Sequence, residues 1–368
     1  MESTAAIRYN KFSRALLLIW LFLQLGLLFL FENFGWSVSF ARYSLHLAGN
    51  YYAALVFYWS AIHLALTVIL AAANAGSYVV ERSHQLTRQS YGSWLADYLK
   101  RRLINWIVTS LGAVWFYCAV RGSSEHWYLW FWPAIVLFYA SVLLLIDSVF
   151  LPLFYKVVPL ESGATFERLS LLANRAGIAR PKFALLRVGH KTPRSNAVVT
   201  GMAGRYRILV TDTALESLTP EEIEAIVAHE LGHQVKHHTT TRLLMLAGLY
   251  FFPLWLASLL LPELIPDLSN FACLPYLFIA LWVASQYIRI LFGIFARTQE
   301  KAADRFCWKL TGNVPAFISM MRKLAAQNLM MTKKRVASSH PAIDSRIAAA
   351  EKFLEQQQRA AVSAGHPA

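Results

Sequence analysis

Six stretches of the chain are apolar almost without interruption: residues 15–31, 51–73, 103–120, 128–150, 243–261 and 274–296. Each is about 17–25 residues, the length that crosses a hydrocarbon core of about 30 Å at 1.5 Å per residue. One such run could be a buried core helix. Six could not all be buried in a soluble domain of this size, so the pattern predicts six membrane spans. Arg8, Lys11 and Arg14 precede the first run, as they would a signal peptide. It is longer than a signal core and continues aromatic through Phe34 and Trp36, so it reads as an uncleaved span.

Between the fourth and fifth runs the rhythm changes. Phe166, Leu169, Leu172, Ala173 and Ala176 recur with helical spacing and are followed by Gly177, a natural helix stop. Residues 183–188 read as a short strand, and 197–200 and 205–210 flank Gly201-Met202-Ala203-Gly204 as the arms of a hairpin. Thr219-Pro220-Glu221-Glu222 combines a capping Thr, a Pro at the first helical position and a Glu that completes a capping box, so a helix starts at Pro220. A further helix is expected from Ala342 through Arg359, with 356–368 lacking periodicity and expected to fray.

Composition agrees with the spans and adds a question. The chain is 57% apolar and 15% charged with a mean hydropathy of +0.41, yet its 35 Lys+Arg against 21 Asp+Glu give a net charge of +14. The charge is distributed by position. Three Lys/Arg precede the first run and five lie between the second and third. Only Arg42, only Arg121 and none fall in the first, third and fifth connections. By the positive-inside rule both termini and segments 74–102 and 151–242 are expected in the cytoplasm. Residues 297–368 carry twelve Lys/Arg and five Asp/Glu. Anionic membrane lipid is the expected partner of that excess. Nucleic acid is not, because the basic residues are scattered apart from Lys333-Lys334-Arg335 and aromatics for base stacking are few. Cys118, Cys273 and Cys307 form no CxxC, which excludes a disulfide scaffold and a Cys-type structural zinc site. His63, Gln24, Gln286 and Arg289 lie in or near spans and receive no role.

The chemistry lies on the helix that begins at Pro220, in His229-Glu230-Leu231-Gly232-His233. Residues four apart share a helix face, so both imidazoles can reach one metal ion, and Glu230 is placed to act on a water rather than on the metal. A catalytic zinc site takes three protein ligands and leaves a position open. Lys236 and Thr239 exclude the longer metzincin motif, and His237 is in line with the first two histidines and cannot converge with them. A second element must supply the third ligand. Glu300 and Asp304, just beyond the last run, share a helix face: Glu300 can ligate while Asp304 orients a ligating His.

These residues resemble the integral-membrane zinc metalloproteases that include the type I CAAX prenyl proteases and the bacterial heat-shock membrane protease. The resemblance runs from about residue 151 to 347. It rests on Leu153-Phe154-Tyr155-Lys156, Pro159-Leu160-Glu161, Ser195-Asn196-Ala197 with Gly201, the strand through Val210, Leu218–Glu222, the histidine motif, Glu300 with Asp304, and Ser339-His340-Pro341 with Arg346. It implies zinc ligands His229, His233 and Glu300, with Glu230 as general base. It also implies His340 and Arg346 as groups that hold the oxyanion or the substrate backbone, and Asn196 and Ala197 on an edge strand that receives extended substrate. CAAX proteases have five spans before the zinc motif; four are counted here.

The expectation is thus a mainly α polytopic membrane protein with a cytoplasmic α+β, gluzincin-like zinc peptidase domain. Residues 1–150 form a four-helix membrane region, 151–242 the peptidase domain, 243–296 a transmembrane hairpin and 297–368 helices that complete the site. The expected function is a zinc-dependent endopeptidase acting on peptides or membrane proteins, at a bacterial inner membrane. A heat-shock-type quality-control protease and a zinc-retaining scaffold or chaperone are the alternatives.

Overall fold

The computed structural model describes residues 4–179, 181–202, 205–265, 267–327 and 341–363. Six of its helices are long and apolar enough to cross a membrane: Arg8–Asn33, Tyr51–Ser83, Tyr91–Gly122, Trp127–Phe154, His238–Leu264 and Phe271–Thr311. Each contains one of the six expected runs. The helices are longer than the apolar runs because their polar ends continue helical outside the apolar layer. Segment 74–102, expected as a loop, is mostly helix: α3 (Tyr51–Ser83) and α4 (Tyr91–Gly122) leave only residues 84–90 between them. α1 (Thr4–Asn33) is joined to α3 by α2 (Trp36–Ala48), a helix that hydropathy alone did not signal. Its 13 residues span about 20 Å, too short to cross. Ser37 Oγ bonds the Tyr58 hydroxyl at 2.7 Å and the Ala272 carbonyl, so α2 seals one end of the helix bundle.

α5 (Trp127–Leu145) leads through a π-turn (Ile146–Phe150) and α6 (Leu151–Phe154) to the sheet-bearing region. That region holds β1 (Lys156–Pro159), α7 (Ala164–Arg175), β2 (Lys182–Arg187), β3 (Ala197–Met202), β4 (Arg205–Thr211), α8 (Asp212–Ser217) and α9 (Pro220–Val235). The strand order is β1-β2-β4-β3. β3 and β4 form the expected antiparallel hairpin, with Ala197 opposite Val210, and β2 runs parallel to β4. β1 was not legible as a strand; it adds antiparallel to β2. The capping box is formed: the Thr219 Oγ1 accepts from the Glu222 N–H at 3.3 Å and Glu222 Oε2 accepts from the Thr219 N–H at 2.8 Å. Leu169, Ile208, Val210, Ala225 and Leu231 pack α7, the sheet and α9 into one core with Cys307 and Phe317 from the chain's last third.

The turn at 84–90 docks on this region. Arg88 N–H donates to the Lys191 carbonyl at 2.8 Å, and Lys191 Nζ meets Asp97 Oδ2 at 2.6 Å where both are buried. The 84–90 turn and the sheet therefore lie on the same side of the spans. From α9 the chain returns through α10 (His238–Leu264) and comes back along α11 (Leu274–Thr311), then α12 (Val314–Gln327) and α13 (Ile343–Ser363).

Candidate metal centre

α9 carries the two histidines and α11 the two acids, and a glycine lets these helices touch. A Cβ at Gly232 would lie 3.1 Å from Phe306 Cδ1 and 3.2 Å from Ala303 Cα. The approach brings Glu300 against both imidazoles. Its Oε2 is 3.4 Å from His229 Nε2, its Oε1 is 3.4 Å from His233 Nε2, and the two Nε2 atoms are 3.3 Å apart. All three residues are buried. Zinc–nitrogen and zinc–oxygen bonds of about 2.0–2.1 Å give a tetrahedron whose edges are about 3.3–3.4 Å. The Nε2–Nε2 separation matches such an edge, and each imidazole has one Glu300 oxygen at the same distance, so the three residues can close around one small dication.

Asp304 stands behind His229, with Oδ1 2.9 Å from Nδ1, so Nε2 faces the donor cluster. Burial pushes the His229 pKa down, but the Asp304 and Glu300 carboxylates outweigh it and hold it up at about 9. A metal entering here at neutral pH displaces a proton. Burial raises the Asp304 pKa, yet Arg346 and His229 bring it below the usual carboxylate range. Arg346 grips Asp304 with two bonds, Nε to Oδ2 at 2.8 Å and Nη2 to Oδ1 at 2.5 Å, and its Nη1 is 4.0 Å from Glu300 Oε2. Two of the donors expected to meet an oxyanion are thus spent on Asp304. His340 lies outside the described residues.

Sequence reasoning missed what stands behind His233. α9 ends at Val235, and His237 takes a left-handed conformation (φ 53°) that turns the chain into α10. His237 itself is exposed; its neighbour His238 folds back, buried, with Nδ1 2.8 Å from His233 Nδ1. If His233 keeps its Nε2 lone pair for a metal, Nδ1 bears the proton and donates to His238. Burial, then the nearby His233 and Arg242, push the His238 pKa down to about 4, so it is a neutral acceptor. Arg242, also missed, donates from Nε to Gln299 Oε1 at 2.7 Å and approaches Glu300 Oε1 at 3.4 Å. The one signal for these two was their position within nine residues of His233.

Glu230 is half-buried on α9 between the two histidines. β3 is the edge strand beside this helix: Gln234 Nε2 donates to the Val199 carbonyl at 2.9 Å. Asn196 is exposed and Ala197 buried, and Asn196 Oδ1 accepts from the Ala197 N–H at 2.9 Å.

The model of peptidase family M48 matches residues 160–354, which carry all of this geometry. The chain belongs to peptidase family M48. Residues 3–156 match the N-terminal region of the CAAX prenyl proteases, described as five membrane helices. In that stretch the described residues form four helices long enough to cross a membrane and the short α2. The two family matches and the six candidate spans together make the chain a multi-pass membrane metallopeptidase of the CAAX prenyl protease type. It is 28% identical over 289 residues to the uncharacterized metalloprotease YhfN of Bacillus subtilis, covering 75% of this chain and 68% of that protein. It is 24% identical over 180 residues to the probable CAAX prenyl protease 1 of Schizosaccharomyces pombe, covering 49% of this chain and 38% of that one. This M48 chain thus spans less than half the length of that yeast relative. The crystal structure of S. mikatae Ste24p has the same fold, with a TM-score of 0.80 over 94% of this chain and 87% of that one at 18% identity.

Proposed function

We propose that the protein is a zinc-dependent endopeptidase that hydrolyses peptide bonds at the cytoplasmic membrane face. The observation that carries this reading is the buried cluster of His229, His233 and Glu300: the two Nε2 atoms lie 3.3 Å apart and each is 3.4 Å from one oxygen of the Glu300 carboxylate. Bound zinc would supply a Lewis acid that acidifies a coordinated water and polarises the scissile carbonyl. Glu230 takes the proton of the attacking water on its carboxylate and returns it to the leaving amine. Asp304 holds His229 in the ligating tautomer, and Arg346 acts through Asp304 as a positioning residue. His340 is the remaining candidate for holding developing negative charge. The edge of β3 at Asn196 and Ala197 receives extended substrate by strand addition, in register beside α9. The cytoplasmic orientation is supported by the basic residues of 84–102, 297–327 and 341–359, on the sheet side of the spans. The YhfN relative supports a bacterial membrane, and a peptide or membrane-protein segment is the substrate class. The test is cleavage of a peptide library by the purified chain and by Glu230→Gln with equal zinc content. Cleavage by the wild type alone is expected, and equal rates would sink the proposal.

A further inference from the structure

α11 does not stop where its apolar run stops. Beyond residue 296 it carries Arg297, Lys301, Arg305 and Lys309 at intervals of four, which places them along one face of the helix. Across from that face runs α13. The two helices diverge enough to leave a cavity of about 820 Å³ between them, with Lys352 on the opposite wall. Trp308 and Phe353 meet at 5.2 Å and form an apolar floor. The acid in the lining is Asp304, whose two oxygens are held by Arg346. Lys301, Arg305, Lys309 and Lys352 are exposed, and among the described residues none has an acidic partner. The Trp308 indole N–H is buried and has no acceptor among the described residues. Four like charges facing one cavity give it a positive potential that attracts an anion.

We propose that this groove binds the phosphate headgroup of an anionic phospholipid. Its lower end, at Arg297, directly follows the apolar run, so it opens where headgroups lie. Arg297 and Lys301 are about 6 Å apart along the helix axis, comparable to the headgroup layer, and Arg305 and Lys352 line the same groove farther on. The compact ammonium of lysine and the planar fork of arginine both suit phosphate oxygens. An acidic peptide has no need of a groove that starts at the end of an apolar span, as this one does. The inference depends on the membrane spans and holds whether or not the chain cleaves peptides.

Native mass spectrometry of the full chain in neutral detergent, titrated with short-chain phosphatidylglycerol, tests it. The wild type should retain one tight lipid. Each charge removed should weaken retention about fivefold, so Lys301→Gln/Arg305→Gln/Lys352→Gln should lose on the order of a hundredfold. A charge-matched control on the sheet, Lys156→Gln/Lys182→Gln/Arg187→Gln, should keep the lipid. Equal retention by the triple variant and the wild type overturns the proposal. So does binding of inorganic phosphate as tight as that of the lipid, which would mark a soluble-anion site, or displacement of the lipid by an oligoglutamate peptide, which would assign the groove to acidic polypeptides. If the triple variant fails to fold, Lys352→Gln alone, far from the α9–α11 contact, must still show its fivefold loss.

Discussion

His229 and His233 stand one turn apart on α9 and turn their Nε2 atoms to the same point, yet they are held from behind by opposite means. His229 leans on Asp304, a buried carboxylate gripped by Arg346. His233 leans on His238, a neutral imidazole. Either acceptor behind an imidazole orients it, and a carboxylate raises its basicity more than a neutral group does. The difference extends to the fold. The His229 side is tied to α11 and α13, the returning helix of the membrane hairpin and the chain's last helix. The His233 side is tied to the first turn of α10, the outgoing helix. One ligand is therefore set by an ion-pair network and the other by the geometry of a single turn.

The largest effect should come from the charged side. Asp304→Ala leaves Arg346 buried without its partner, a loss of about 3–5 kcal/mol. Zinc affinity should fall about 10–100-fold with it. Thermal melting in detergent and competition with a chelator measure the two. The double change Asp304→Ala/Arg346→Met removes the stranded charge, so it should recover much of the stability and none of the affinity. Recovery of both would mean that Asp304 serves the fold and not His229.

The parts that were legible in the chain are those set by local rules. The capping box at Thr219, the helix spacing of His229 with His233, and that of Glu300 with Asp304 depend only on residues within one turn. The six spans depend only on length and apolarity. What escaped depends on where a distant element arrives. His237 has the helical spacing to His233, but the left-handed turn ends the helix and brings in His238 instead. α2 is short, and its buried Ser37 and Ser44 break the apolar run that would have announced it. β1 is four residues whose strand character comes from pairing with β2. The Lys191–Asp97 pair, 94 residues apart, has no local trace at all.

Gly232→Ala should erase the contrast between the two histidines. The new Cβ would press on Phe306 and on the Ala303 backbone, and α11 would have to shift, at about 1–3 kcal/mol. That shift carries Glu300 away from both ligands at once. Zinc affinity should fall together with melting temperature, and a cobalt-substituted sample should lose its tetrahedral absorption. Unchanged absorption would show that α11 is not pinned by the glycine.

His238→Leu isolates the neutral side. It leaves no buried charge, so stability should change little, while zinc affinity falls about tenfold. His238→Gln, which restores an acceptor, should recover most of it. If Leu and Gln behave alike, the His233 ring is held by packing alone and the contrast between the two ligands is deeper still.

The smallest effect concerns the far end of the helix that carries both ligands. Glu222 closes the capping box and also accepts from Lys323 at 2.7 Å and Ser319 at 2.6 Å. Burial pushes its pKa up, but these donors and the Thr219 N–H outweigh it and hold it below the usual carboxylate range. The folded state therefore binds this proton less readily than the unfolded chain does. The stabilisation is fully present above the unfolded value of about 4.3 and is lost as pH falls through the lower, folded one. Glu222→Gln should lower the melting temperature by the equivalent of about 1 kcal/mol at neutral pH, and the gap to the wild type should close in acid. Because Glu222 is two turns from His229 and touches neither Asp304 nor His238, zinc affinity at neutral pH should stay at the wild-type value. A loss of affinity would mean that the frame of α9, and not the two groups behind its histidines, sets the ligand geometry.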